Sequence, residues 1–277
     1  MSVDDADTPD APSGGDGVPV AGTGDVKIRV ENIRKRFGRV VALDGVDLDI
    51  YGNEIFALVG DNGAGKSTLM NIVSGVFEPS DGWVYKDGER VEFTNPSDAR
   101  DAGIETVYQD LALMGDLDIA TNIFMGQFPT AGIGPARFID WEETYERTRE
   151  IVHERLGREE MNPQSEVQFL SGGQRQLVAV ARTLAFDPDV IILDEPTSAL
   201  SVDATRLVHD TIEFLQDQDI TVIIVSHSIE DVLQISDRIG ILYQGQLVDI
   251  TTPEEATLET LTTLMTTGSY EEELTVD

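Results

Sequence analysis

The stretch Gly60-Asp61-Asn62-Gly63-Ala64-Gly65-Lys66-Ser67-Thr68 has the residue types and spacing with which a chain wraps a string of phosphates. Its glycines let the backbone turn so tightly that successive N–H groups face phosphate oxygens, and the helix that follows adds positive potential at its start. Lys66 is expected to reach the β- and γ-phosphates of a nucleotide, and the Ser67 hydroxyl to bind its Mg2+. A second reactive element is Asp194-Glu195, at the end of the apolar run Val190-Ile191-Ile192-Leu193. Paired acids mean little in so acidic a chain, but ligands of parallel sheets collect at the carboxyl ends of strands. Successive strand residues point to opposite sides, so the two carboxylates take different tasks. Asp194 is assigned to Mg2+, directly or through water, and Glu195 to polarising the attacking water as general base. A third element, Leu170-Ser171-Gly172-Gly173-Gln174, opens another helix and so makes a second anion-attracting helix start.

Such residues need strands that end at them and helices that begin at them. Apolar runs at 26–30, 55–59, 190–193, 221–225 and 239–243 read as strands, the most continuous of them covered on both faces of a parallel sheet. Helical spacing covers 66–76, 141–156, 174–186 and 204–216. Around Asp87-Gly88, residues 84–93 read as an antiparallel hairpin. Between about 118 and 168 the strand signal vanishes, which predicts a helical subdomain inserted in an α/β core. Residues 1–24, rich in Asp, Gly, Pro and Ser, are expected to be a disordered tail, 25–268 the folded domain, and 269–277 a short C-terminal tail. His153 and His209 fall in helical stretches and read as surface residues.

The chain carries 52 Asp+Glu against 19 Lys+Arg, a formal charge of -33, spread along its whole length. Self-repulsion on that scale points to a salt-rich cytosol, because the screening length shrinks to about 3 Å at 1 M salt. It also argues against a nucleic-acid partner, since phosphate backbones are gripped by clustered Lys and Arg, and Arg34, Lys35, Arg36 and Arg39 make only a small cluster. No cysteine is present, so disulfides and thiolate chemistry are excluded. The N-terminus lacks a secretory signal, and no stretch reaches the ~20 apolar residues of a membrane-spanning helix. A soluble protein that meets membranes through a partner is the expectation.

Ser171-Gly172-Gly173-Gln174, followed by Arg175-Gln176 and then by Asp194-Glu195, resembles the signature of the ABC transporter ATPases. The resemblance covers about residues 26–268. It implies a P-loop NTPase core of mainly parallel sheet with an antiparallel β subdomain and an inserted helical subdomain. It also implies ATP as the nucleotide and a head-to-tail dimer, with itself or with a related ATPase subunit. In that dimer Ser171, Gly172, Gly173 and Gln174 would close over the γ-phosphate held by the other chain. Position by position, Gln109 resembles the loop glutamine that senses Mg2+ and the permease, and His227 the switch histidine that contacts the γ-phosphate. Phe37 resembles the aromatic residue on which adenine stacks, with a core Phe as the competing reading. One departure is Ser201, where many members have Asp in Ser198-Ala199-Leu200-Ser201, a loop that crosses the dimer interface in the family.

The segments 107–113 and 121–126 are most similar to ATPases of monosaccharide importers of the ribose, xylose and fructose type, although branched-chain amino-acid importers share much of the pattern. That likeness implies membrane permease subunits as partners, an extracellular solute-binding protein indirectly, and a place at the cytoplasmic face of the membrane. A soluble ABC ATPase of iron-sulfur assembly, translation or repair is the rival class. The run Gln174-Arg175-Gln176 and a single unit without a long coiled coil favour the transport motor. A binding module without turnover is disfavoured because every catalytic position is filled.

Overall fold

The structure is a computed structural model, and it describes residues 22, 24–133 and 136–270. The expected tails, 1–24 and 269–277, lie almost wholly outside those residues. Among the described residues two long strands come first, β1 (Val26–Phe37) and β2 (Val40–Tyr51), followed by β3 (Ile55–Val59) and helix α1 (Lys66–Val73). The hairpin β4 (Asp81–Lys86) and β5 (Glu89–Val91), helix α2 (Pro96–Asp101) and strand β6 (Ile104–Val107) come next. Then follow α3 (Ile119–Phe124), the hairpin β7 (Thr130–Ile133) and β8 (Ala136–Ile139), and α4 (Trp141–Arg149), which runs into a π-helical turn over Glu150–Arg155. The second half is α5 (Gly172–Leu184), β9 (Val190–Asp194), α6 (Val202–Gln216), β10 (Thr221–Ser226), α7 (Ile229–Ile235), β11 (Arg238–Tyr243), β12 (Gln246–Thr251) and α8 (Leu258–Thr267).

One six-stranded sheet has the order β12-β11-β3-β10-β9-β6, parallel except for the antiparallel edge strand β12. Every residue of β3 and β10 is buried, as strands sandwiched between two layers require. Burying the continuous runs of Val, Ile and Leu in β3, β9 and β10 supplies much of the hydrophobic driving force, at about 25 cal/mol per Å2 of apolar surface. A four-stranded antiparallel sheet, β2-β1-β4-β5, packs its apolar face on α1. Its tight turn falls at Asp87 and Gly88, with φ of 52° and 80°, the pair of positive values a two-residue hairpin turn demands. The α/β fold with an antiparallel subdomain thus follows the expectation from sequence.

Two expectations need correction. The stretch 118–168 is not free of strands, since β7 and β8 pair antiparallel within it. That hairpin is short, contains Gly132 at φ 111° and leaves Phe138 exposed, so it offers no buried alternation to read. His209 is not a surface residue: it is 7% exposed, beside Val208 and Ile212 on the buried face of α6. His153 is half-buried, with Nε2 3.0 Å from the Met161 carbonyl.

Candidate active site

The turn after β3 is shaped by what a side chain would strike. A Cβ on Gly60 would lie 2.3 Å from the Leu242 carbonyl oxygen, so only glycine lets the loop pass β11. Gly65, at φ 109°, forms the N-cap of α1 and provides no side-chain cap, leaving the first turn of that helix open. Lys66 folds back into the loop, 7% exposed, and its Nζ donates to the carbonyls of Gly60 at 2.7 Å and Asp61 at 3.2 Å. Burial pulls its pKa below the ordinary lysine value, against the opposing pull of Glu195, Asp194 and Asp61.

Strands β9 and β10 deliver the opposite wall. Their parallel register sets Val225 beside Asp194, so the residues just beyond each strand also meet. Burial raises the Asp194 pKa and nearby Glu195 raises it further, while Lys66 opposes both. Glu195 is held in the left-handed region at φ 53°, its N–H bonded to the Val225 carbonyl at 2.9 Å. Its carboxylate meets the exposed His227 ring, with Nδ1 2.8 Å from Oε1 and 2.7 Å from Oε2.

These groups share one cleft of about 470 Å3. Asn62, Gly63, Ala64, Gly65, Lys66, Ser67, Thr68, Gln109, Asp194, Glu195 and His227 line it, together with Val40, Val41 and Ala42 of β2. The β2 residues were not foreseen, because a valine pair at a strand start gives no sign that it is exposed. Gly60 is not among the lining residues, although its carbonyl accepts from Lys66. Phe37 also lies off the lining, 44% exposed at the end of β1, where it pairs with Val40. Its ring stands edge-on to Phe77 with centroids 5.3 Å apart, and Lys35 Nζ is 5.2 Å from its centroid.

Ser171, Gly172, Gly173 and Gln174 lie outside the cleft, at the start of α5. Ser171 Oγ accepts from the Gln174 N–H at 3.2 Å and the Gln174 side chain accepts from the Ser171 N–H at 3.0 Å, a reciprocal cap. A Cβ on Gly173 would sit 3.2 Å from Ala204, so this glycine lets α5 start against α6. Ser201 caps α6, accepting from the Ala204 N–H at 3.4 Å. Asp and Ser are comparable N-caps, so the departure at this position leaves the local fold intact.

Among the described residues no group of three or more His, Cys, Asp or Glu could hold a metal ion by itself. The cleft instead offers hard oxygen donors from Ser67, Gln109 and Asp194. That set, with one carboxylate in it, fits Mg2+, which is typically held by one or two carboxylates and completes its shell with phosphates and water.

A family model described as "ABC transporter" matches residues 43–198. The chain is 40% identical over 240 residues to a xylose/arabinose import ATP-binding protein of Sulfolobus acidocaldarius, covering 86% of this chain and 93% of that one. It is 39% identical over 238 residues to a fructose import ATP-binding protein of Rhizobium meliloti, covering 84% and 90%. Among solved structures, a dimeric post-hydrolysis state of the ATP-binding cassette MJ0796 bound to ADP and Pi is similar with a TM-score of 0.66 at 27% identity, covering 82% and 98%.

Proposed function

Given that the chain belongs to the ABC transporter family and is an ATP-binding, ATP-hydrolysing subunit, we propose that it energises the import of a monosaccharide through a membrane permease. The observation that carries the catalytic half of this reading is the convergence of Lys66, Asp194, Glu195, Gln109 and His227 on one cleft. The names of the xylose/arabinose and fructose relatives support the sugar half.

In this reading Lys66 exchanges its two loop carbonyls for the β- and γ-phosphates, joined by the open first turn of α1. Ser67, Asp194 and Gln109 hold Mg2+, which supplies charge neutralisation on the phosphates when bound. Glu195 takes the proton of the attacking water, and His227 orients its carboxylate and reaches the γ-phosphate. Phe37 offers a face for adenine, beside Val40 at the cleft. Ser171, Gly172, Gly173 and Gln174 act on the nucleotide of a second chain, identical or related. The dimeric cassette among the similar structures supports that arrangement.

No helix of the described residues is long and apolar enough to cross a membrane. In this reading membrane attachment comes through a permease, for which exposed Tyr108, Met114, Met125 and Phe169 around the helical subdomain offer apolar contacts. Of these Phe169, 79% exposed, stands just ahead of the Ser171 cap. The formal charge of -33 supports a working environment of molar salt at the cytoplasmic face.

Replacing Glu195 by Gln tests the reading: ATP binding persists, turnover nearly ceases and an ATP-bound dimer accumulates, measured by light scattering over a range of KCl. Rapid hydrolysis by this variant would remove Glu195 from its role, and full wild-type activity in low salt would remove the salt argument. Isolation from native membranes in mild detergent should bring down a permease. Recovery with soluble assembly factors alone would replace the transport reading.

A further inference from the structure

Asp231 lies on α7, about one turn beyond His227, and accepts a hydrogen bond from Thr197 Oγ1 at 2.6 Å. Thr197 sits just beyond Glu195, in the loop that leads to the Ser201 cap of α6. The bond therefore ties the segment leaving Glu195 to the helix that begins just after His227. These are the same two segments joined by the Glu195–His227 contact. On its other side Asp231 faces His209, whose buried Nε2 is 3.9 Å from Oδ1 and has no hydrogen-bond partner. That separation is too long for a hydrogen bond, so Thr197 is the side chain that fixes this carboxylate.

The loop needs such a tie. Glu195 and Ala199 both occupy the left-handed region, at φ 53° and 60°, where a residue other than glycine stays only if its surroundings hold it. A hydroxyl donating to a carboxylate is a short, charge-assisted bond, among the stronger ones a side chain makes. We propose that Asp231 is a positioning residue, acting through Thr197 to set the geometry in which Glu195 meets His227 and activates water. The proposal rests on the general-base role of Glu195.

Thr197→Val removes the hydroxyl with almost no change of shape. It is expected to lower kcat about tenfold with KM for ATP unchanged, the pattern of a contact that matters only in the transition state. Thr197→Ser keeps the donor and should hold kcat within about twofold of the parent, which a simple packing role for Thr197 would not predict. The double variant Thr197→Val/Asp231→Ala should be no slower than Asp231→Ala alone, because both changes break one bond. Additive losses, a serine variant as slow as the valine one, or a valine variant at parental speed would each overturn the proposal. If Asp231→Ala folds poorly, the valine and serine pair still decides the matter. Glu195→Gln is the separate control: its turnover reports on the general base whatever the Thr197 series does.

Discussion

Helices α1 and α5 both begin at glycine-rich turns, yet their first turns are finished in opposite ways. The N-cap of α1 is Gly65, which brings no side chain, and the turn opens on a cleft that holds a buried ammonium and two carboxylates. At α5 a side chain does the capping, because Ser171 and Gln174 satisfy one another, and the turn faces outward. An uncapped helix start is left to a ligand, whereas a self-capped one folds without help and offers only what remains, the N–H groups and the hydroxyl, to an outside partner. In the function proposed above, the difference makes two unlike half-sites of one chain: one assembled for phosphates within the chain, the other a surface that needs a nucleotide brought to it.

The largest effect that could break this contrast is at Lys66. Lys66→Ala should weaken ATP binding by roughly 30-fold to several thousand-fold, since truncating one partner of a desolvated charged pair costs about 2–5 kcal/mol. Calorimetric titration measures it, and undiminished affinity would make the two helix starts equivalent. A smaller effect sharpens the contrast at the other end. A Cβ on Gly172 would meet the Leu200 Cδ2 atom at 2.9 Å, the far end of a flexible side chain, so Gly172→Ala should fold. Its ATP affinity should match the parent while turnover falls about tenfold, near 1.4 kcal/mol in the barrier, and the ATP-driven dimer weakens. Weakened binding to the single chain would place this turn in the same site as Lys66.

The smallest effect is on stability and pH. Burial, with Glu195 adding to it, raises the Asp194 pKa, so the ionised carboxylate is disfavoured in the folded chain. Its cost is present above the raised pKa and vanishes below the unfolded value of 3.8, where both states are protonated. Asp194→Asn should therefore raise the Tm measured without Mg2+ or nucleotide at neutral pH by a few degrees. The gain should shrink as pH falls toward 4, close to the pI of about 4.1. A gain that does not change with pH would show that the carboxylate is not the source.

Much of the cleft could be read from sequence because its chemistry is local. Gly60 to Thr68 is one turn after one apolar strand, and Asp194-Glu195 closes another, so residue order alone carries the arrangement. What could not be read depends on which strands become neighbours. That His227 touches Glu195 follows from the register of β10 on β9, and that Val40 and Val41 border the cleft follows from how β2 passes the loop. Strand β2 did carry a signal, since Val46, Leu48 and Ile50 are buried and alternate with Asp47 and Asp49. The hairpin β7–β8 did not, because Phe138 points to solvent and leaves no apolar face to recognise. Residue type alone reads His209 as a surface residue, whereas its place beside Val208 and before Ile212 puts it on the inner stripe of α6.

Glu195 at φ 53° holds a conformation that costs a residue other than glycine about 1–3 kcal/mol. The fold of this subunit is therefore not tuned for maximum durability: an inactive relative with Asn or Gly at that position would relax where the working protein is strained. With Glu195 as the proposed general base, thermal endurance and turnover pull this one backbone angle in opposite directions, and a search for hardier variants that ignored activity would be drawn to a residue the proposed reaction needs.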